Sequence, residues 1–294
     1  MDSNNWTHVP VMGEKIAEML LLKKDGVYVD GTLGLGGHAK YFLGLLGADA
    51  RVLGFDKDAN AVKMAVKNVD DKRLTAFNKS YELIPRVLAE LGLSGVDGAL
   101  LDLGVSSYQL DDGRRGFSFQ SGGPLDMRFD QSAQLTAREI VNTYSVKDLE
   151  KIFIDYGEEP AAAKIAMAIF NARRVKHLET TDELAAVLSA AVPRRGKIHP
   201  ATRVFQALRI AVNDELGTIE RTLKFLPDIL NAGGRAAVLT FHSLEDRLVK
   251  NAFKSLAAEG KIKLINKHVI EPCYEEIKNN RRSRSAKLRV IEKL

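Results

Sequence analysis

The segment 30–38 constrains the fold more than any other part of the sequence, because it places four glycines between a β-rich run and a helical pattern. It follows the run 27–30 and reads Asp30-Gly31-Thr32-Leu33-Gly34-Leu35-Gly36-Gly37-His38. Glycines in such a loop let a ligand approach the backbone, and the start of the next helix offers unpaired amides to a polar group. The next β-rich run ends in Asp56, whose carboxylate can accept both hydroxyls of an adenosine ribose. The pattern predicts a nucleotide-type ligand.

Two classes of ligand fit this loop. The spacing Gly34-x-Gly36-x-x-Ala39 matches the dinucleotide fingerprint and is typical of NAD binding. An acid that closes the first strand, followed by glycines at alternate positions, is typical of S-adenosylmethionine binding, and Asp30 favours this interpretation. A carboxylate there can hold the ammonium group of that ligand, whereas it would repel a pyrophosphate. A tight turn without any ligand is the remaining alternative.

The first third of the chain alternates β-rich runs with helical patterns, as a parallel α/β sheet does. The β-rich runs are 27–30, 52–56, 74–77 and 96–102. The fourth run is almost entirely apolar, as expected for a strand covered on both faces. The segment 103–131 is then rich in Gly, Ser, Asp and Arg, and a long loop of this kind is usually functional.

Helical signals without strand alternation occupy about 135–215. Thr180 and Glu183 have the spacing of a capping box, which predicts a helix that begins there. Pro193 is predicted to end this helix and Pro200 to open the next one.

Strand patterns return after the helical region. The run 235–241 resembles a central strand, and 262–265 and 288–291 are predicted to form an antiparallel pair. The simplest architecture is one α/β sheet built from residues 1–112 and 216–294. A helical domain at 113–215 would interrupt it.

The charge of the chain is concentrated at one end. Lysine and arginine number 43 against 38 acidic residues, a net charge of +5, and the segment 278–294 alone carries +6. A local basic patch suits a polyanionic partner such as nucleic acid, and a solvated tail is the alternative.

The single cysteine, Cys273, excludes an intramolecular disulfide and a cysteine-cluster metal site. The apolar stretch 184–192 is too short to span a bilayer. The N-terminus has no secretory signal pattern. A cytoplasmic protein without a membrane partner is expected.

Seven ordered motifs resemble those of one family, the bacterial ribosomal RNA small-subunit methyltransferase H (MraW) family. They run through nearly the whole chain and are His8-Val9-Pro10-Val11, the segment 30–38, Leu101-Asp102-Leu103-Gly104-Val105-Ser106-Ser107-Tyr108-Gln109-Leu110-Asp111, Arg115-Gly116-Phe117-Ser118-Phe119, Gly123-Pro124-Leu125-Asp126-Met127-Arg128, His199-Pro200-Ala201-Thr202-Arg203 and Phe241-His242-Ser243-Leu244-Glu245-Asp246-Arg247. Tyr108 stands where many members have proline, and Tyr81 where phenylalanine is common.

This resemblance implies a class I (Rossmann-like) S-adenosylmethionine-dependent methyltransferase sheet with an inserted helical domain for RNA recognition. It implies methylation of the exocyclic N4 of one cytidine in the decoding (P-site) region of 16S rRNA, within the small ribosomal subunit. The positions that it implies for cofactor binding are Gly36, Gly37, His38, Asp56, Tyr81, Asp102 and Gln109.

Asp102 is also the candidate for the catalytic polar group. Many aminomethyltransferases place a polar residue, two prolines and an aromatic residue after the fourth strand, and here that position reads Asp102-Leu103-Gly104-Val105. An acceptor near the amine would localise its lone pair and take its proton. A role confined to cofactor contact is the alternative.

Arginines interleaved with phenylalanines suggest an RNA-binding surface, because they can pair with phosphates and stack on bases. The RNA candidates are Arg114, Arg115, Phe117, Phe119, His242, Arg281, Arg282 and Arg284. The phenylalanines, with Phe129, could instead pin a loop against the helical domain, and His242 could be a structural histidine. The histidines lack helical metal-ligand spacing, so no metal site is predicted.

Two other functions stay open on the residues alone. A NAD-dependent oxidoreductase could use the same glycine loop, and binding of S-adenosylmethionine against NAD would separate the two. A non-catalytic RNA-binding ribosome assembly factor could retain a cofactor pocket. Nucleoside analysis of ribosomal RNA for N4-methylcytidine would decide that case.

Overall fold

The structure is a computed structural model that describes residues 10–120, 122–192, 199 and 201–294. The chain divides into two compact units: one unites the residues up to Gly104 with Leu216–Leu294, and the other is Val105–Glu215. We call them the sheet unit and the helical unit. The second begins earlier than the predicted residue 113, because Val105 and Leu110 pack on the core of the helices.

The strands of the described residues all belong to one sheet in the sheet unit. They are β1 Val27–Asp30, β2 Arg51–Phe55, β3 Leu74–Phe77, β4 Val96–Asp102, β5 Leu230–Thr240, β6 Ile262–Leu264 and β7 Lys287–Lys293. Their order is β3-β2-β1-β4-β5-β7-β6. The five strands β1 to β5 pair in parallel, and β7 runs antiparallel to both β5 and β6. The predicted strands and the antiparallel pair are confirmed.

Helices occupy both units. They are α1 Gly13–Leu20, α2 Gly37–Leu45, α3 Ala59–Val69, α4 Ile84–Glu90, α5 Ser107–Asp111, α6 Ala137–Thr143, α7 Val146–Asp155, α8 Ala162–Val175, α9 Thr181–Ala191, α10 Ala201–Asn213, α11 Glu215–Phe225, α12 Ser243–Ala258 and α13 Tyr274–Asn279. No helix of the described part is long and apolar enough to cross a bilayer.

Two apolar cores cover the two faces of the sheet. Tyr28 and Leu100 belong to one cluster, whereas their chain neighbours Val29 and Leu101 belong to the other. Successive side chains of a strand point to opposite faces, so a strand covered on both sides must be apolar throughout. This explains why β4 is buried along its length up to Asp102, which lies at the edge.

The helical unit has its own core, which includes Phe117, Leu125 and Ile140. Several of its helices begin with a hydroxyl cap. The capping box of Thr180 and Glu183 is present at the start of α9, as the spacing predicts. Pro193 and Pro200, which were expected to bound α9 and α10, lie outside the described residues.

Candidate functional site

Three carboxylates meet at one edge of the sheet. In this sheet β1 lies between β2 and β4, with Asp30 paired to both Gly54 and Leu100. Parallel strands present their carboxyl ends at the same edge, and ligands of open α/β sheets bind there, where the strand order reverses. Asp30 ends β1, Asp56 follows β2 and Asp102 ends β4.

The glycine loop crosses this edge from β4 to β2. The Gly31 N–H donates to the Leu100 carbonyl at 2.8 Å, and the Leu33 N–H donates to the Phe55 carbonyl at 2.8 Å. A Cβ on Gly31 would lie 2.4 Å from Leu101 Cδ2. Gly36 has φ +84° and caps α2, and a Cβ there would lie 2.6 Å from the Val69 side chain. These two glycines therefore also allow close packing of the protein itself.

Asp56 is held by the loop that faces it. Its Oδ2 accepts the Gly34 N–H at 2.8 Å and its Oδ1 accepts the Asp58 N–H at 2.8 Å. Asn78, which sequence reasoning missed, donates its side-chain amide to the carbonyls of Asp56 and Lys57, each at 3.0 Å. Its position directly after the edge strand β3 is the sequence feature that could have indicated this contact. The carboxylate that is predicted to hold a ribose is thus fixed by the amides of Gly34 and Asp58, and the backbone that carries it is fixed by Asn78.

Tyr81 lies close to the glycine loop. It opens the 3-10 turn Tyr81–Leu83 that follows β3, and its side chain is half-buried. A Cβ on Gly31 would lie 3.2 Å from Tyr81 Cβ. The structure therefore brings this predicted cofactor residue to the same edge as Asp56.

Asp30 is the most buried of these three acids, with 1% of its surface exposed. Its Oδ1 accepts the Thr32 N–H at 3.2 Å, whereas its Oδ2 has no hydrogen-bond partner among the described residues. Burial raises the pKa of Asp30 to about 6, against the opposing attraction of His38. A buried carboxylate oxygen without a partner is costly, which is typical of an atom that binds a ligand.

His38 and Asp102 complete the cluster. His38 Nε2 lies 3.4 Å from Asp102 Oδ2, and the Asp102 N–H donates to Thr32 Oγ1 at 2.7 Å. Both ring nitrogens of His38 and Asp102 Oδ1 lack hydrogen-bond partners within the described ranges. Asp30 Oδ2 suits the ammonium group of a ligand, the amides at the start of α2 suit its carboxylate, and Asp56 suits its ribose. The residues therefore fit S-adenosylmethionine.

His242 lies at the same edge of the sheet, after β5. It is the N-cap of α12: its Nδ1 accepts the Glu245 N–H at 3.4 Å, and Glu245 Oε2 accepts the Phe241 N–H at 2.8 Å. The side chain thus has a structural role in the cap, which was the alternative to RNA contact. Its Nε2 lies 3.1 Å from Glu245 Oε1.

The helical unit holds Gln109, Arg115 and Phe117 in buried positions. Gln109 forms a capping box with Ser106 in α5, and its cofactor contact stays a prediction. Arg115 is 2% exposed and donates to the carbonyls of Arg128 and Phe129, at 2.8 and 3.1 Å. Arg115 is therefore used inside the protein rather than presented to RNA.

The phenylalanines of this region stack within the unit. The rings of Phe117 and Phe129 lie 5.4 Å apart, and those of Phe119 and His199 lie 4.7 Å apart. Phe117 is buried and Phe119 is half-buried. For Phe117 and Phe129 the contacts favour the alternative, in which they pin the loop.

Four arginines among the RNA candidates are exposed. Arg114 pairs with Asp112 at 2.8 Å in the helical unit. In the sheet unit, Arg281, Arg282 and Arg284 lie on the 3-10 turn Arg281–Ser285, which we call the basic turn. The buried Ser283 anchors this turn by donating to the Asn280 carbonyl at 2.7 Å.

The described residues contain no group of three or more histidine, cysteine, aspartate or glutamate side chains that could hold a metal ion. The candidate site at this edge of the sheet consists of the glycine loop, the three acids and His38.

The class of protein follows from the sheet and its loops. The strands have the order 3-2-1-4-5-7-6, and the seventh strand is antiparallel. A glycine loop follows β1, and acids stand at the end of β1 and directly after β2. The chain is a class I methyltransferase that depends on S-adenosylmethionine. The model of the MraW methylase family matches residues 5–294, and the chain belongs to this family.

Similar proteins agree with this assignment. A protein of Elusimicrobium minutum (strain Pei191) is 65% identical over 292 residues, which cover 99% of this chain and 100% of that protein. One of Coprothermobacter proteolyticus is 47% identical, covering 99% and 97%. One of Clostridioides difficile (strain 630) is 44% identical, covering 98% and 99%. Each is named ribosomal RNA small subunit methyltransferase H.

Proposed function

We propose that this protein methylates the exocyclic N4 of one cytidine in the decoding (P-site) region of 16S rRNA, within the small ribosomal subunit. The names of the relatives support the small-subunit RNA as substrate. The observation that carries the choice of an amine as acceptor is Asp102, a carboxylate at the end of β4 whose Oδ1 lacks a hydrogen-bond partner among the described residues. A ribosomal substrate implies action in the cytoplasm.

The residues of the sheet edge would hold the methyl donor. The amides of Gly37 and His38 begin α2 and offer donors to the ligand, whereas the Gly36 N–H already donates to the Leu33 carbonyl at 2.8 Å. Asp56 would accept from the ribose hydroxyls, and Asp30 would take the ammonium group. When bound, S-adenosylmethionine supplies an electrophilic methyl group. The protein contributes alignment, because holding two reactants in a near-attack geometry supplies much of the rate of such a displacement.

Cytosine N4 needs help to act as a nucleophile, since its lone pair is delocalised into the ring. A carboxylate that accepts a hydrogen bond from the amine localises this lone pair and takes the proton as positive charge develops. Asp102 is suited to this role because its backbone is fixed through Thr32 and one of its oxygens is left without a protein partner in the described structure.

The target base must leave its stack, or lie in a flexible single strand, to reach such a site. The exposed arginines, Arg114 and the basic turn, suit contacts with phosphates. Phe119 and His242 are the remaining candidates for contact with bases. Arg115 and Phe117 would act indirectly, by holding the loop that carries Arg114.

The oxidoreductase alternative is disfavoured by Asp30. Its carboxylate lies buried at the start of the glycine loop, where a pyrophosphate would meet a negative charge.

The test is methylation of small subunits that lack the modification. Purified protein and labelled S-adenosylmethionine are incubated with these subunits, and the RNA is digested to nucleosides for mass spectrometry. We expect N4-methylcytidine with the wild type and none with Asp102→Ala. Asp155→Ala, which removes an exposed carboxylate of α7, serves as the control and should retain activity. Absence of labelled N4-methylcytidine with the wild type would refute the proposal.

A further inference from the structure

His38 has an environment that binding of a cofactor through backbone amides does not require. The ring is buried, with 5% of the residue exposed, and it packs against Phe42 with the ring centroids 5.8 Å apart. Neither ring nitrogen has a hydrogen-bond partner among the described residues. Since buried polar groups are normally hydrogen-bonded, an imidazole kept in such a place indicates a use for its nitrogens.

The carboxylate of Asp102 lies beside this imidazole. Its Oδ2 lies 3.4 Å from His38 Nε2, slightly beyond a normal hydrogen bond, and its Oδ1 is free of protein partners within the described ranges. The Thr32 hydroxyl fixes the Asp102 backbone at 2.7 Å. One carboxylate oxygen thus faces the histidine, while the other is left for the target amine.

The charged groups around His38 are carboxylates from the neighbouring strands. Asp102 comes from β4 and Asp30 from β1, and the charge of Asp56, after β2, also acts on Asp30. Burial raises the pKa of Asp30 to about 6, so this carboxyl group is mostly ionised at neutral pH.

We propose that His38 is a positioning residue for Asp102, which it orients before methyl transfer and from which it takes the proton of the target amine. This inference rests on the proposed function. As cytosine N4 forms its bond to the methyl carbon, the bond from that carbon to the sulfonium sulfur breaks, and its electron pair stays on the sulfur of the released S-adenosylhomocysteine. An N4–H bond then breaks and the proton passes to Asp102. The proton then moves to His38 Nε2, which restores the carboxylate and leaves an imidazolium for release to solvent.

The experiment compares His38→Gln with the wild type. Glutamine keeps a polar side chain but cannot accept the proton. Single-turnover methylation of unmodified small subunits is measured at saturating S-adenosylmethionine from about pH 5.5 to about pH 9, and we expect the plateau rate to fall about 100-fold. The acidic limb of the profile of rate against pH should also change its position, because the proposed proton acceptor has been removed. Binding of S-adenosylhomocysteine, measured by calorimetry, should be unchanged.

Phe42→Leu is the matched control, because it alters the packing of the same ring without removing a titratable group. It should leave the acidic limb in place. The inference is overturned if His38→Gln keeps the acidic limb of the wild type, or if its loss of rate is matched by an equal loss of S-adenosylhomocysteine binding. A wild type that makes no N4-methylcytidine would instead refute the proposed function, so the two failures are distinguishable.

Discussion

Replacement of Asp30 by asparagine tests the cost of keeping a buried carboxylate at the sheet edge. Burial raises the pKa of Asp30 from 3.8 to about 6. Because the pKa is higher in the folded state, the stabilisation by the bound proton is complete below pH 3.8 and is lost as the pH rises through about 6. A difference of about two pKa units corresponds to about 3 kcal/mol, of which about 2 kcal/mol is lost between about pH 4.5 and about pH 7.5.

The Asp30→Asn variant removes this titration and keeps an oxygen that can accept the Thr32 amide. Relative to the wild type without cofactor, its free energy of unfolding should rise by about 2 kcal/mol between about pH 4.5 and about pH 7.5. Urea unfolding at both pH values measures the difference, with Asp155→Asn as an exposed control. If the free energy of unfolding of the variant differs from that of the wild type by the same amount at both pH values, the reasoning is refuted. The variant should also bind S-adenosylhomocysteine more weakly, because the carboxylate is proposed to hold the ammonium group.

Two further predictions concern the RNA contacts and the helical unit. Reversing the charge of Arg281, Arg282 and Arg284 should weaken RNA binding. The slope of log affinity against log salt, which is negative, should become shallower by roughly 2 to 3, and an unchanged slope would contradict a role of the basic turn. In Gly116→Ala, the new Cβ would lie 2.0 Å from a backbone oxygen at φ +70°, so urea unfolding should show a loss of about 2 kcal/mol or more. Gly92→Ala, at φ +66° in open space, should lose about 1 kcal/mol, and equal losses in the two variants would contradict this argument.

The elements of the sheet could be predicted because local pattern determines them. The strand β1 and the strand β4 have the predicted bounds, and the capping box of α9 is present. The order of the strands depends on contacts between distant segments, so periodicity alone does not give it. Alternating strands and helices predicted parallel pairing, and the convergence of Asp30, Asp56 and Asp102 follows from that pairing.

Other features of the site could not be predicted from the sequence, because the sequence does not show which loop residues are buried. Arg115 and Phe117 have the composition of an RNA-binding loop, yet both are buried in the helical unit. Gly36 fits a ligand loop, yet its missing Cβ also makes room for Val69. His38 was predicted only as part of the glycine loop. Its approach to Asp102 follows from the position of α2 after β1, beside the end of β4.

A crystal structure of the protein with S-adenosylhomocysteine tests the central claim most directly. The account predicts the ribose hydroxyls on Asp56, the amino acid portion beside Asp30, and contacts with the amides of Gly37 and His38. A ligand bound at another place, or a crystal soaked at saturating concentration in which this edge of the sheet binds nothing, would contradict it.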